Sequence, residues 1–249
     1  MSGVSELRTL RRVGHKGADL IAPGNTVESF DAALAAGVDM IEFDVLSERS
    51  DGTGELWLAH DYGAVARADP RPPTLAEGLA HLARTTFADV ELDVDLKLPG
   101  YELRVLEALR EHDVLDRTLV SSQYLGSLQR LRGAAPTLRL GWSVPKLKRN
   151  PLESPLTAAP AFAMLQVYRR ILPRQAASAI RTLRLDALMS QWRLITPALV
   201  RSVHEAGGDL YAWTVDSAEQ IVRLESLGVD AVITNDPRLF APPGVPPVV

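Results

Sequence analysis

The sequence predicts a (β/α)8 barrel, and three observations support this prediction. The chain has 249 residues, a length at which such barrels commonly form one domain. Short apolar segments alternate with helical patterns along nearly the whole chain, as expected for a parallel sheet whose strands are joined by helices. No glycine-rich dinucleotide-binding turn follows a predicted strand, so the doubly wound open sheet is the weaker alternative.

Eight segments are predicted as barrel strands. They lie near Val13, Met40, Val90, Leu119, Leu140, Leu188, Tyr211 and Val232. Residues 55–59 form a further short extended segment, separated from the second strand by a Ser-Asp-Gly turn signal. We expect a single domain over residues 1–249, with a core of about residues 10–240 and an extended proline-rich tail.

The predicted helices follow from apolar residues that recur every three or four positions. The first begins near Asn25 and Thr26, whose side chains can cap a helix, and ends at Gly37. Further helices are predicted around residues 75–82, 105–109, 125–131, 197–206 and 218–227.

The stretch between the predicted strands near Leu140 and Leu188 is less regular. Prolines and basic residues predict an irregular loop over residues 145–160. Residues 161–185 are apolar enough to form a helix, with Pro173 as a candidate point of interruption. The alternative is an extra strand over residues 162–168, which we favour less.

The composition excludes several classes of function. Hydrophobic content of 46% and charged content of 23% are ordinary for a globular protein, and a net charge of −4 gives no reason to expect nucleic acid. The absence of cysteine excludes disulfides, thiolate zinc sites and cysteine nucleophiles. No apolar run of about 18 residues occurs, so we expect no transmembrane helix, and the cytoplasm is the simplest location.

Two carboxylates on the second predicted strand form a candidate metal site. Glu42 and Asp44 are two positions apart, so both side chains point to the same side of the strand. Salt bridges to arginine are the alternative role for such a pair. The metal interpretation is favoured by Asp95 and Lys97 on the next long strand, and oxygen ligands suit Mg²⁺ or Ca²⁺ better than zinc.

That next strand alternates apolar and ionisable side chains. Glu91, Asp93, Asp95 and Lys97 share one face of the strand. A barrel interior is usually apolar, so a solvated surface strand is the alternative to a functional site.

Two histidines directly follow predicted strands. His15 and His60 should therefore lie at the same rim of a barrel, where they could act as an acid and a base. A structural hydrogen-bonding role is the alternative for each of them. His81, His112 and His204 fall in helical segments and are predicted to be surface or packing residues.

Four other residues are candidates for contact with a substrate. Lys16 and Lys97 could neutralise a phosphate, although Lys16 could equally be a solvated loop charge. Trp213 ends a predicted strand and could line a pocket or simply pack against neighbours. Asn25 could cap a helix or also meet the substrate at the rim.

Taken together, these motifs resemble the glycerophosphodiester phosphodiesterase family, and they occur in the same order over nearly the whole chain. The matching segments are His15-Lys16-Gly17, Pro23-Gly24-Asn25-Thr26, Glu42-Phe43-Asp44, His60-Asp61, Asp95-Leu96-Lys97, Trp213 to Val215 and Gly228 to Pro237. Lys16 replaces an arginine of the family pattern and Gly24 replaces a glutamate. Asp95 stands where glutamate is commoner, and sphingomyelinase D enzymes on the same barrel resemble the chain there.

The resemblance implies a barrel enzyme that hydrolyses glycerophosphodiesters to sn-glycerol 3-phosphate and an alcohol, with one divalent cation, Mg²⁺ or Ca²⁺. It implies that His15 and His60 form the catalytic pair, that Glu42, Asp44 and Asp95 bind the metal, and that Lys97 contacts phosphate. Lysophospholipase D or sphingomyelinase D-like cleavage of lipid phosphodiesters is one alternative. A non-catalytic barrel that binds a phosphate ligand is another.

Overall fold

The computed structural model describes residues 9–69, 71–146 and 155–240, and the predicted barrel is confirmed. Eight parallel strands close in the order β1, β2, β4, β5, β6, β7, β8 and β9, with β9 hydrogen-bonded to β1. The strands are β1 (Arg11–Gly14), β2 (Met40–Ser47), β3 (Leu56–Leu58), β4 (Glu91–Leu96), β5 (Thr118–Ser122), β6 (Arg139–Val144), β7 (Ala187–Gln191), β8 (Asp209–Trp213) and β9 (Ala231–Thr234). The short β3 pairs antiparallel with β2 and lies outside the barrel. This agrees with the prediction of a short extended segment apart from the eight barrel strands.

Helices follow most of the barrel strands and cover the barrel. They are α1 (Val27–Ala35), α2 (Tyr62–Arg67), α3 (Leu75–Leu82), α4 (Glu102–Glu111), α5 (Leu125–Ala134), α6 (Pro155–Leu183), α7 (Pro197–Glu205) and α8 (Ala218–Leu227). In the part of the chain that the structure describes, no helix is long and apolar enough to cross a membrane.

The start of α1 differs from the prediction in one respect. Thr26 is the residue that caps the helix, because its side chain accepts a hydrogen bond from the Ser29 amide, and the Ser29 hydroxyl faces the Thr26 amide in return. Asn25 does not cap the helix. Its backbone has a positive φ of 62°, and its side chain turns towards β2.

Helix α6 also differs from the prediction. It begins at Pro155, so the loop prediction is wrong for residues 155–160, and residues 162–168 form helix rather than an extra strand. It is not interrupted at Pro173, because this part of the helix buries a stripe formed by Leu172, Ala176 and Ile180. Burial of this stripe outweighs the loss of one helical hydrogen bond at proline. Residues 147–154 and the proline-rich tail lie outside the described residues.

Two layers of buried side chains result from the alternation along the strands. On β2, Ile41, Phe43 and Val45 pack outward against the helices, whereas Met40 points into the barrel. Glu42 and Asp44 share the inward side with Met40, and both are buried. The barrel interior therefore holds ionisable groups near its carboxyl end.

The charged face of β4 lies inside the barrel, so the surface-strand alternative is wrong. Asp93 is buried, and Glu91 accepts from Arg139 at 2.8 Å and pairs with Arg11 at 3.2 Å near the amino ends of the strands. Arg11 also donates to the Tyr211 hydroxyl. These ion pairs close the bottom of the barrel, which leaves the opposite rim open for a site.

Candidate active site

The candidate site lies at the carboxyl ends of the strands, where barrel enzymes carry their chemistry. Three carboxylates occupy its floor, contributed by Glu42, Asp44 and Asp95. Asp44 and Asp95 are register partners on β2 and β4, and one oxygen from each of the three residues lies within 4.8 Å of the others. Such a group could hold a metal ion.

The donor set fits a hard divalent cation. All three groups offer carboxylate oxygens, the ligands that Mg²⁺ and Ca²⁺ prefer. The Oδ1 atom of Asp95 is buried and has no hydrogen-bond partner among the described residues. A buried anionic oxygen without a partner is costly, and a cation would satisfy it.

Among the residues that the structure describes, Lys97 is the one whose ammonium group lies inside this cluster. Its Nζ lies 2.5 Å from Asp44 Oδ1 and 2.5 Å from Asp95 Oδ2. Burial disfavours the ammonium, but the charges of Asp44 and Asp95 raise the pKa of Lys97 well above its usual value. Burial likewise opposes ionisation of Asp44, yet Lys97 and then His60 lower the pKa of that carboxyl. Lys97 and Asp44 are therefore both charged.

The remaining carboxyls are not fully compensated. Burial, and then repulsion from Asp44, raise the pKa of Glu42 well above its usual value. Burial, and then Asp95, raise the pKa of Asp93 to about 8. The cluster thus holds more carboxyl groups than one ammonium can balance, which is a second feature that fits a divalent cation.

A left-handed turn after β1 positions Glu42. Lys16 has φ 51° and Gly17 has φ 85°, which directs the Lys16 amide to Glu42 Oε2 at 2.8 Å. A Cβ on Gly17 would lie 2.5 Å from the Ser29 hydroxyl, so glycine is required there. The side chain of Lys16 reaches Asp19 at 3.4 Å.

Asn25 holds Asp44 in place. Its Nδ2 donates to Asp44 Oδ2 at 2.9 Å, and its Oδ1 accepts from the Asp44 amide at 3.0 Å. Both polar atoms of the amide are thus engaged by β2. The positive φ of Asn25, which asparagine tolerates better than most residues, makes this contact possible.

Gly24, which departs from the family pattern, has a steric explanation. A Cβ at this position would lie 2.5 Å from Asp19 Oδ1 and 2.9 Å from the Lys16 Cβ. The Gly24 amide donates to the same Asp19 oxygen at 2.9 Å. Asp19 therefore takes the space that a side chain at position 24 would need.

His15 is held by two residues that the sequence reasoning missed. Its Nδ1 lies 2.5 Å from Asn235 Oδ1, and Asn235 Nδ2 lies 2.7 Å from Asp216 Oδ2. Burial, and then the charge of Lys16, lower the pKa of His15 to about 4. The available signal for Asn235 was its place directly after β9, inside the Gly228 to Pro237 motif, but Asp216 carried no such signal.

His60 occupies the outer part of the rim. Its side chain is half exposed, and its Nδ1 lies 3.0 Å from Asp61 Oδ2. Asp61 in turn caps α2 by accepting from the Ala64 amide at 2.8 Å. The two histidines thus differ in environment, because the side chain of His15 is only 20% exposed whereas that of His60 is half exposed.

Trp213 ends β8 on the side that faces the barrel axis. It packs against the inner core cluster, and its Nε1 is buried with no hydrogen-bond partner in the described part of the chain. The three other histidines make contacts on helices: His81 with Asp31, His112 with the Ala108 carbonyl and His204 with Asp230.

The fold and this site define a (β/α)8-barrel enzyme with its active centre at the carboxyl ends of the strands. The sequence matches the model of the glycerophosphoryl diester phosphodiesterase family over residues 15–62 and 67–239. The chain belongs to that family of phosphoric diester hydrolases.

Known proteins agree with this membership. A glycerophosphodiester phosphodiesterase of Caldanaerobacter subterraneus is 26% identical over 256 residues, which cover 91% of this chain and 94% of that protein. A phosphodiesterase of Oleispira antarctica, solved in complex with the product sn-glycerol-3-phosphate, has a TM-score of 0.67 at 18% identity and covers 92% of this chain and 94% of its own. A glycerophosphodiester phosphodiesterase of Thermotoga maritima has a TM-score of 0.64 at 18% identity, with coverage of 93% and 97%. At these identities the two structures support the fold.

Proposed function

We propose that this protein hydrolyses glycerophosphodiesters to sn-glycerol 3-phosphate and an alcohol. The observation that carries the proposal is the meeting of three buried carboxylates, Glu42, Asp44 and Asp95, with two histidines at one barrel rim. Family membership supports the reaction class, and the product bound to the Oleispira protein supports the kind of substrate.

One divalent cation, Mg²⁺ or Ca²⁺, completes the proposed site, held by the three carboxylates. When bound, such an ion offsets the negative charge that builds up on the phosphoryl group. Lys97 adds a fixed positive charge at the same place, and we propose that it contacts the phosphate. Lys16, Asn25 and Trp213 are the other proposed substrate contacts, with the unpartnered Trp213 Nε1 as a free donor.

His15 and His60 form the proposed acid and base pair. A carboxylate accepts hydrogen bonds only, so Asp216 turns the Asn235 amide nitrogen towards itself and the carbonyl oxygen towards His15. His15 must then carry its proton on Nδ1, which leaves Nε2 to take a proton from the attacking hydroxyl. The exposed His60 would protonate the leaving alkoxide, and each transfer contributes on the order of 10² to 10⁴ in rate.

The nucleophile is either water or the neighbouring hydroxyl of the substrate itself. Attack by the hydroxyl would form a cyclic phosphate that water opens in a second step. Both routes need the same proton acceptor at His15 Nε2. Time-resolved ³¹P spectra of the reaction would distinguish them, because a cyclic phosphate has its own resonance.

The test is release of glycerol 3-phosphate from glycerophosphocholine, with chelator and with added Mg²⁺ or Ca²⁺. We expect activity to require the cation and to fall by about 10² or more in His15→Ala and in His60→Ala. His112→Ala, a helix residue bonded to a backbone carbonyl, is the matched control. Unchanged turnover in both rim variants would refute the assignment.

A second candidate is lysophospholipase D-like cleavage, which the exposed Leu20 and Ile21 in the loop after β1 favour. Lysophosphatidylcholine in the same assay separates it from the first candidate. Full cation binding without turnover of any diester would favour the non-catalytic alternative.

We propose that residues 1–249 act as one domain, and the cytoplasmic location stays a prediction.

A further inference from the structure

Helix α6 extends beyond the barrel at the catalytic rim. It has 29 residues, or about 43 Å at 1.5 Å per residue, against 10 residues in α5. Each barrel helix begins at the carboxyl end of the preceding strand, so the amino-terminal half of α6 lies at the side of the active site. The buried stripe of Leu172, Ala176 and Ile180 belongs to its carboxyl-terminal half.

The middle of α6 carries exposed apolar side chains on one side. Met164 is 59% exposed, Val167 56% and Ile171 43%, and their spacing places them on one outward side. Phe162 lies on the same side as Arg169, which bonds the Arg193 carbonyl on the protein body, yet Phe162 is 58% exposed. At Phe162 the inward side of α6 is therefore not covered by the described part of the chain.

The charge of α6 is entirely positive. Its 29 residues contain four arginines and no aspartate or glutamate, in a chain of net charge −4. Arg170 and Arg174 are exposed and flank Val167 and Ile171 on the outward side. Exposed apolar residues beside arginines are typical of helices that lie in the interface of an anionic membrane.

A second apolar patch lies across the rim from α6. Leu20 is 61% exposed and Ile21 is 41% exposed in the loop after β1, and Tyr62 follows His60 at the start of α2. In the barrel order, β1 and β2 lie opposite the strands β6 and β7 that flank α6. Leu20 and Ile21 are therefore separate from the outward side of α6.

A groove beside α6 adds aromatic and basic groups. It has a volume of about 780 Å³, and its lining includes Tyr124, Trp142 and Tyr168. The Lys146 ammonium lies 3.9 Å from the centre of the Tyr124 ring. Tyrosine, tryptophan and lysine side chains are favoured where an apolar phase meets water, which agrees with a lipid surface at this side of the barrel.

We propose that the outward side of α6 docks on an anionic lipid membrane. The contacts are Met164, Val167 and Ile171 of α6, together with Arg170 and Arg174 beside them. The helix lies on the membrane and does not span it, because no described helix meets the length and hydropathy that spanning requires. The docking does not rest on the proposed function.

The test is sedimentation of the full chain with vesicles. We expect binding to vesicles of phosphatidylcholine with phosphatidylglycerol, little binding to phosphatidylcholine alone, and weaker binding as salt increases. The double variant Arg170→Glu, Arg174→Glu should bind vesicles at least about 25-fold more weakly, because each arginine near the surface contributes about fivefold to binding. The triple variant Met164→Gln, Val167→Gln and Ile171→Gln should abolish vesicle binding.

Matched controls come from α8, where Val222 and Arg223 are exposed between the acidic residues Glu219 and Glu225. Val222→Gln and Arg223→Glu should bind vesicles as the unmodified protein does. Equal binding to both vesicle types, no binding, or full binding by the α6 variants would overturn the proposal. A dimer that the α6 variants convert to monomer, without vesicle binding, would assign this face to a second copy and also overturn it.

Hydrolysis of soluble glycerophosphocholine is measured on the same samples. Turnover without vesicle binding would overturn the docking and leave the proposed function intact. Vesicle binding without turnover of any phosphodiester would do the reverse. The two proposals therefore fail separately.

Discussion

The side-chain oxygen of Asn235 lies 2.5 Å from Nδ1 of His15, although the two residues are 220 positions apart in the chain. Asp216 fixes the orientation of the Asn235 side-chain amide. Its carboxylate accepts a hydrogen bond from Asn235 Nδ2 at 2.7 Å and another from the Asn235 backbone N–H at 2.8 Å. A residue that never contacts His15 thus determines which histidine nitrogen carries the proton.

Asp216→Asn should lower kcat by about 10- to 100-fold, a common loss when the partner that orients a functional side chain is removed. The new amide can donate as well as accept, so Asn235 is no longer held in one orientation. KM should change little because Asp216 is not a proposed substrate contact. The measurement is steady-state turnover of glycerophosphocholine. Asp236→Asn, whose carboxylate pairs with Arg238, is the control, and equal kcat for the two variants would contradict the prediction.

Lys97→Met should destabilise the protein in chelator by about 3 kcal/mol, because it leaves Asp44 and Asp95 buried without their counter-charge. Saturating Mg²⁺ or Ca²⁺ should restore more stability to this variant than to the unmodified protein. Denaturant unfolding with and without the cation provides the measurement. Lys16→Asn keeps a residue that tolerates positive φ and serves as control. An equal cation effect in all three proteins would be inconsistent with competition at this site.

Gly24→Ala should lower stability by about 1–3 kcal/mol and raise KM, since its Cβ would displace Asp19 and with it Lys16. Gly126→Ala is the matched substitution, because a Cβ there meets no atom within 4 Å on helix α5. It should stabilise the protein by about 0.5–1 kcal/mol. Thermal unfolding and KM for glycerophosphocholine are the two readouts. The steric account of Gly24 would be abandoned if both alanine variants behaved alike.

Ser127→Ala should remove a stabilising effect that depends on pH. The Ser127 hydroxyl donates to the buried Glu102 at 2.6 Å. Burial favours the neutral acid, but the bonds from Ser127 and the Gly100 amide hold the pKa of Glu102 below its usual value. Because the pKa of Glu102 is lower in the folded state than in the unfolded state, ionised Glu102 stabilises the folded protein above the unfolded pKa of about 4.3. This stabilisation is lost as the pH falls through the pKa of Glu102 in the folded state.

At pH 7 the free energy of unfolding of Ser127→Ala should therefore be lower by about 1–2 kcal/mol, and the difference should shrink below about pH 4. Urea unfolding across this pH range is the measurement. Ser226→Ala, an exposed serine on α8 bonded to a backbone carbonyl, should show no such pH dependence. A difference that stays constant with pH would contradict the role given to Glu102.

Much of the fold could be predicted because its signals are local. The eight barrel strands and most helices follow from apolar periodicity within about ten residues, and the two-residue repeat of a strand suffices to put Glu42 and Asp44 on one side. The order of motifs was enough to indicate the family, because each motif is a short segment with its own spacing.

Predictions from local sequence patterns were wrong where contacts between residues far apart in the chain determine the structure. Proline predicts an interruption of α6, yet burial against the barrel keeps the helix continuous through Pro173. Asn25 has the chemistry of a helix cap, but its partner is Asp44 on the adjacent strand. The sequence of β4 allows Asp93 and Glu91 to lie on a solvated face, whereas closure of the barrel places both inside.

By itself the sequence determined the barrel, the two rim histidines and the carboxylate pair on β2, because strand period and strand ends are written in neighbouring residues. Only the tertiary structure decided that Asn235 faces Nδ1 of His15, that Lys97 bridges Asp44 and Asp95, and that apolar side chains of α6 are exposed. These features depend on distances between residues that are far apart in the chain. The energies of burial and hydrogen bonding are set by those distances, so the sequence alone does not give them.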